Sequence, residues 1–416
     1  MRKTLVLILS LLFLQTLEAR GLRVAFVGDP QVDSEEDLYY ARKSVYAELR
    51  ARRDLDLVVF LGDMVNDDVR LLVPTRATLD SLPCPWACVP GNHDRDMYSA
   101  KKGQVLSFDG VVREGKARDM ATYSRVIGAP DTTFDMGGVR FIMMDDVRSR
   151  GMADYEGGFR TDQKQWLRGV LAATPQDMGV VLSAHIPFRE FSALDSLESI
   201  LKIHPKMLLM CGHTHTMARH KLRFPGGLEV EEVLAGAACG SWWRGVPDEH
   251  GIPSATMNCG SPRSYYLADF TRSGYRLSAK VIGKDPSTQA SAWISDSTRL
   301  VVNIYAGSVD GVVKVRVPGI KGWLELPRRS EPAPEEYSVA YFNKTIPGRK
   351  SRDPRYIPML LRESPHVWAL NMKNSPETVA ALSAARGKKV RIRYEDPVMK
   401  FTAVAPLEVS PKSPRR

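Results

Sequence analysis

The chain has 416 residues, 44% of them hydrophobic and 25% charged, a globular composition that excludes a largely disordered or collagen-like protein. That length exceeds one ordinary core and calls for two domains. The formal net charge of +10 is uneven: Lys314 to Arg416 holds 21 Lys/Arg against 10 Asp/Glu, and the rest is close to neutral.

Arg2 and Lys3 precede an apolar run from Leu5 to Leu14 and then Leu17-Glu18-Ala19. This is the pattern of a signal peptide over residues 1–19, with a run too short to span a bilayer. The mature chain is expected to be exported, periplasmic or extracellular, with no transmembrane segment. Five cysteines suit that compartment without demanding a disulfide framework.

Leu22 to Val27 reads as a strand ending at Gly28-Asp29-Pro30-Gln31. Ser34 caps a helix in which Leu38, Ala41, Val45 and Leu49 recur at helical spacing. Leu55 to Leu61 is almost wholly apolar, as in a strand buried on both faces, and ends at Gly62-Asp63. A helical segment follows around Val69 to Leu82, interrupted by Pro74. Trp86 to Val89 is a short strand broken by Pro90 and leading to Gly91-Asn92-His93-Asp94. Ser99 to Asp135 reads as a long loop.

Val139 to Met144 is a strand ending at Asp145, and Asp162 to Ala172 a helix. Val180 to Ser183 is a strand ending at Ala184-His185, and Leu194 to Ile203 a helix. Lys206 to Met210 is a strand ending at Gly212-His213-Thr214-His215. Strand after strand thus stops at a polar residue of metal-ligand type, where open α/β sheets place their sites. Beyond His215 the alternation ends. Leu228 to Leu234, Tyr265 to Phe270 and Tyr275 to Val281 read as antiparallel strands. The polar stretch 285–298 is expected to be a linker, followed over 299–416 by short strands of β-sandwich texture. Those strands are Leu300 to Ile304, Val312 to Val317, Val339 to Phe342, His366 to Asn371 and Val390 to Tyr394, with one helix at Glu377 to Ala385 and a frayed tail from Ser410.

Asp29, Gln31, Asp63, Asn92, His185, His213 and His215 offer only oxygen and nitrogen. Such a set suits Mn, Fe, Zn or Mg and disfavours a cysteine-built zinc site. It is too large for one small cation and sufficient for two divalent ions sharing a carboxylate.

The order Asp29-x-Gln31, Gly62-Asp63, Gly91-Asn92-His93-Asp94, His185, Gly212-His213-x-His215 resembles the calcineurin-like metallophosphoesterases. The resemblance implies a layered αββα sandwich over residues 20–284 followed by a C-terminal β-rich domain. By motif position, Asp29, Gln31 and His215 would hold the first metal, and Asp63 would bridge both. Asn92, His185 and His213 would hold the second. His93 would face the scissile phosphate, with Asp94 orienting it. Gln31 stands where the commonest pattern has histidine, which resembles an Asp-Pro-Gln subgroup and leaves metal identity open. Cys239-Gly240-Ser241-Trp242-Trp243 and Gly251-Ile252-Pro253 resemble the segment that follows in secreted bacterial members with a C-terminal β domain.

The expected function is hydrolysis of a phosphomonoester or phosphodiester by a hydroxide activated between two metals. Trp242, Trp243 and Arg244 are candidate substrate contacts, suited to a sugar, nucleoside or lipid moiety. No nucleic acid is expected as a stable partner, because the basic quarter lacks interleaved stacking aromatics. The alternative is a non-catalytic binder of glycan or anionic polymer on the same scaffold. All ligand residues precede Lys284, so a chain ending there is expected to fold and hold metal.

Overall fold

The structure is a computed structural model that describes residues 21–96, 119–151, 154–204, 206–328, 333–334 and 363–409. The signal-peptide expectation, the strand expected at Val339 to Phe342 and the tail from Ser410 lie outside them.

The described chain opens with β1 (Leu22–Val27), α1 (Glu35–Lys43) and α2 (Val45–Ala51). Ser34 caps α1 by accepting from the Asp37 N–H at 3.1 Å, and three acidic residues in the first turn favour the positive helix end. Ser44 separates the two helices, its hydroxyl bonded back to the Tyr40 carbonyl. Next come β2 (Leu57–Phe60), α3 (Leu72–Leu79) and β3 (Trp86–Cys88). The stretch read as loop instead carries α4 (Ala121–Val126) and β4 (Thr132–Met136). Then follow β5 (Val139–Met143), the hairpin β6 (Val147–Gly151) and β7 (Asp154–Gly157), α5 (Thr161–Ala172), β8 (Gly179–Ser183), α6 (Leu194–Leu201) and β9 (Met207–Cys211). Four strands complete this part: β10 (Met217–Arg223), β11 (Glu229–Ala235), β12 (Ser264–Thr271) and β13 (Gly274–Val281), all paired antiparallel except that β11, expected to be antiparallel, runs parallel to its neighbour β9.

Two sheets pack face to face, one ordered β13-β12-β1-β2-β3 and the other β10-β11-β9-β8-β5-β4. The apolar runs are explained by the period of two. In β5, Val139, Phe141 and Met143 join the core between the sheets, while Ile142 faces the second core under α5 and α6 with Leu167, Leu171, Leu197 and Ile200. On the far side of the first sheet, α1 and α2 bury Leu38, Ala41, Val45 and Leu49. The result is the layered αββα sandwich that the sequence implies. The parallel strands β1, β2, β3, β8 and β9 all point their carboxyl ends the same way within their sheets.

The C-terminal part adds β14 (Ala290–Ser295), β15 (Arg299–Ile304), β16 (Val312–Arg316), β17 (Leu324–Leu326), the pair β18 (Ala333–Pro334) and β19 (Glu363–Ser364), β20 (Val367–Asn371), α7 (Pro376–Ala384), β21 (Lys389–Glu395) and β22 (Lys400–Val409). Two expectations change here. The stretch read as a linker contains β14, which lies between β22 and β15 and so belongs to the C-terminal sheet. And the domain is no two-sheet sandwich. One seven-stranded sheet, ordered β17-β16-β21-β22-β14-β15-β20, curls until Arg328, just past β17, bridges Trp368 in β20 at the opposite edge. The sheet is therefore nearly closed, which covers edges that would otherwise be exposed. No helix among the described residues is long and apolar enough to cross a membrane.

Candidate metal centre

The strand ends meet at one place. Asp29 and Gln31 follow β1, Asp63 follows β2, and Asn92 and His93 follow β3. His185 follows β8, and His213 and His215 follow β9. Of the nine non-glycine residues with positive φ among the described residues, Asp29, Gln31, Asp63, Asp67, His213, His215 and Trp242 lie here. Left-handed backbone is costly for such residues and persists where surrounding structure enforces it, commonly at functional sites. The glycines preceding the ligands serve clearance. A Cβ on Gly91 would lie 2.1 Å from Asp63 Oδ1, and one on Gly62 would lie 2.4 Å from His185 Nδ1.

Asp63, His185 and His213 bring ligand atoms within 4.8 Å of one another. His185 is the hub. Its Nδ1 donates to the Leu61 carbonyl at 2.7 Å, which aims Nε2 inward. Nε2 lies 3.1 Å from Asn92 Oδ1, 3.3 Å from Asp63 Oδ2 and 3.2 Å from His213 Nδ1. Asp146 fixes this turn by accepting from the His185 and Ile186 N–H groups. Burial disfavours charge on His185, but Asp63 outweighs it and raises the pKa to about 10. Burial likewise works against the Asp63 carboxylate, yet His185 and His93 hold its pKa below the usual range. His213, pushed down to about 3 mainly by burial and then by His185, stays neutral. A single proton on His185 Nε2 thus serves an amide oxygen, a carboxylate and a neutral imidazole. That donor set fits a divalent cation, which would take the proton's place.

The second group is looser. Asp29 accepts the His213 N–H on both carboxylate oxygens at 3.1 Å, and His215 Nε2 stands 3.9 Å from Asp29 Oδ1. His215 Nδ1 donates to the Gly240 carbonyl at 2.8 Å, and burial holds its pKa near 4, so Nε2 is an available lone pair. The Gln31 amide nitrogen donates to Asp63 Oδ2 at 3.4 Å and to Asn66 Oδ1 at 3.2 Å. A half-turn of the amide would present its oxygen instead.

One expected role changes hands. Asp94 does not meet the His93 ring. It turns its carboxylate to the Gly91 and Val65 N–H groups, at 2.8 and 3.1 Å, and so braces the turn. The residue that holds His93 is Asp67, whose Oδ1 lies 2.5 Å from Nδ1. Burial lowers the His93 pKa, but Asp63 and Asp67 raise it further, and the net shift is upward. His93 also donates its backbone N–H to Asp63 Oδ1 at 2.9 Å, tying the turn to the hub. The sequence reading missed Asp67 and Asp146. It also missed Tyr155, whose hydroxyl lies 3.5 Å from His213 Nε2.

The aromatic pair divides as well. Trp242 is 41% exposed, its ring centroid 5.0 Å from that of His215. Trp243 is only 4% exposed and cannot be a platform. Its indole N–H donates to the Pro30 carbonyl at 2.8 Å, and the Arg263 guanidinium lies 4.6 Å from its ring centroid. It anchors the Asp29-Pro30-Gln31 turn. Arg244 stacks on Trp242 at 5.2 Å.

Residues 22–217 match the family model described as calcineurin-like phosphoesterase, and residues 232–385 match that of the C terminal of calcineurin-like phosphoesterase. The two matches span most of the chain and agree with the fold. The chain belongs to the calcineurin-like phosphoesterase superfamily and carries its C-terminal domain. No curated protein matches significantly. Similar solved structures include a purple acid phosphatase from yellow lupin (Lupinus luteus) seeds, 13% identical, with 68% of this chain and 51% of that one covered at a TM-score of 0.39. This chain thus spans about half the length of that relative. GAP50, the anchor in the inner membrane complex of Plasmodium, is 16% identical, with 62% and 84% covered at a TM-score of 0.37. A metallophosphoesterase from Sphaerobacter thermophilus is 15% identical, with 62% and 88% covered at a TM-score of 0.29.

Proposed function

We propose that this chain is a metal-dependent phosphoesterase acting on a phosphomonoester or phosphodiester. The observation that carries the reading is the convergence of Asp63, Asn92, His185 and His213 on one point, with His93 one residue beyond Asn92 and held by its own carboxylate. Asp63 and this set, with Asp29, Gln31 and His215 beside it, would hold two divalent ions drawn from Mn, Fe, Zn or Mg. When bound, such ions neutralise phosphoryl oxygens and lower the pKa of a coordinated water. Asp29-Pro30-Gln31 points to the subgroup with glutamine at this position.

The protein residues divide the remaining work. His185 and His215 present Nε2 because backbone carbonyls hold their Nδ1 atoms. His93, with its proton stabilised by Asp67, protonates the leaving oxygen or steadies charge developing on it, an effect worth about 10²–10⁴-fold. The test is a panel of monoesters and diesters assayed with Mn, Zn, Fe and Mg, using the native chain and Asp63→Asn. We expect metal-dependent turnover in the native chain, and loss of most metal and nearly all turnover in Asp63→Asn. Normal turnover and full metal in Asp63→Asn would overturn the bridging role. Salt-dependent anion binding with no turnover under any metal would favour the non-catalytic reading.

A further inference from the structure

Trp242-Trp243-Arg244 is a tripeptide with its middle residue nailed down. Trp243 is buried and bonded to the Pro30 carbonyl. Its neighbours are fixed by backbone bonds, Arg244 N–H to the Trp242 carbonyl at 2.9 Å and Ala255 N–H to the Arg244 carbonyl at 3.0 Å. Trp242 takes φ 65°, an unfavourable value for so bulky a residue, and keeps its ring against His215 and open to solvent.

Arg244 is the unusual member. Its guanidinium covers the Trp242 ring, and one Nη reaches the Ser241 hydroxyl at 3.3 Å. Its Nε is buried and has no hydrogen-bond partner among the described residues. Burial lowers its pKa, and the group that opposes this is the Cys239 thiol, which burial itself keeps protonated, not a carboxylate. Arg95 and Arg219 also leave one buried nitrogen each without a partner among the described residues, but both face carboxylates, Arg95 those of Asp119 and Asp145 and Arg219 that of Asp396. A half-buried guanidinium without an acid carries a desolvation cost that an anionic ligand would offset.

We propose that Arg244, laid on Trp242 beside His215, reads a second anionic group on the substrate, a phosphate or carboxylate near the phosphoester that is hydrolysed. The proposal rests on the phosphoesterase reading for the position of the first phosphate. It narrows the substrate class to compounds with two neighbouring acid groups. Simple neutral alkyl or sugar monoesters would use the metal centre and leave Arg244 unmatched.

Hydrolysis-resistant phosphonates test this apart from catalysis. Calorimetry on the full, metal-loaded chain would compare methylphosphonate, phosphonoacetate and methylenediphosphonate. At least one of the doubly anionic probes should bind roughly tenfold or more tighter than methylphosphonate, the gain expected of one charged hydrogen-bonded contact. Whether phosphonoacetate or methylenediphosphonate gains more identifies a carboxylate or a phosphate as the second group. In Arg244→Gln that advantage should largely vanish, while methylphosphonate affinity and metal content stay near native. A merely structural role would weaken all three probes together. No advantage in the native chain, or an undiminished one in Arg244→Gln, overturns the proposal. If Arg244→Gln does not load metal, Arg244→Lys decides: a reduced advantage with methylphosphonate unchanged supports the assignment, and an unchanged advantage overturns it. Absence of ester hydrolysis with these affinities intact would sink the phosphoesterase reading alone.

Discussion

Asp67 and Asp94 are both carboxylates close to His93 in the fold, and the structure gives them separable tasks. Asp67 faces the imidazole, and Asp94 faces two backbone N–H groups. Asp67→Asn removes a charge that holds the proton on His93. A general acid must be protonated, so the alkaline limb of the kcat profile should move to lower pH. The fall in kcat should be greater for an alkyl ester than for an activated aryl ester, with metal content near native. Asp94→Asn leaves that proton alone. An amide has one acceptor oxygen for the Gly91 and Val65 N–H groups, so stability should drop by about 1–3 kcal/mol and metal should bind less tightly. Its alkaline limb should stay put. The pair of profiles, with metal analysis, decides the matter: a limb moved by Asp94→Asn and not by Asp67→Asn would reverse the two roles.

Elements show why some of this was legible in the sequence and some was not. The ligands were readable because each terminates a strand whose apolar run is local, and the glycines that make room for them are adjacent. Asp67 was not, because it reaches His93 only through the turn after β2. Arg219 in β10 looks like a surface residue, yet it is buried by Asp396, which lies 177 positions away. β14 was hidden by its polar flanks and by pairing with β22, itself masked by Pro406. His366, just before β20, gives this sheet a measurable signature. It is buried, with Nδ1 2.6 Å from Asn303 Oδ1 and Nε2 without a partner among the described residues. Burial depresses its pKa from 6.5 to about 3. Below pH 6.5 the unfolded chain therefore takes up a proton that the folded chain refuses. The contribution is complete above that pH and is lost as pH falls toward 3, by at most about 1.4 kcal/mol per unit. Denaturant titrations under chelator at pH 7 and pH 4.5 should show a smaller loss for His366→Gln than for the native chain. Equal losses would mean that the imidazole is protonated in the folded state or is not decisive.

At the scale of the molecule, the two parts do not behave as beads on a string. The core between the sheets of the first part continues without a break into the C-terminal sheet, with Leu277 and Ala279 in the same cluster as Ala290, Val313 and Tyr394. The fully buried Arg219 crosses the boundary. It donates to the Ala306 carbonyl at 3.0 Å and pairs with Asp396, which also accepts from the Tyr394 hydroxyl. Leu277 N–H donates to the Val398 carbonyl at 3.0 Å, and the Gln289 amide to that of Ala279 at 2.8 Å. A chain ending near Lys284 keeps all the ligands, which is why the sequence suggests that it would fold. It would also strip Arg219 of Asp396 and bare an apolar face, the combination that promotes aggregation. We expect that truncated chain to be insoluble or to lack a cooperative thermal transition, and the full chain to unfold in one step. Asp396→Ala separates the ion pair from the rest of the interface. It leaves the buried Arg219 guanidinium with only its longer pairing to Glu231 at 3.6 Å, at a cost of up to about 3–5 kcal/mol, and should lower Tm while metal content at low temperature is retained. Calorimetric scans of the three chains settle the point. A soluble, cooperative, metal-loaded chain ending at Lys284 would show that the phosphoesterase domain stands alone and that the second sheet is an attachment.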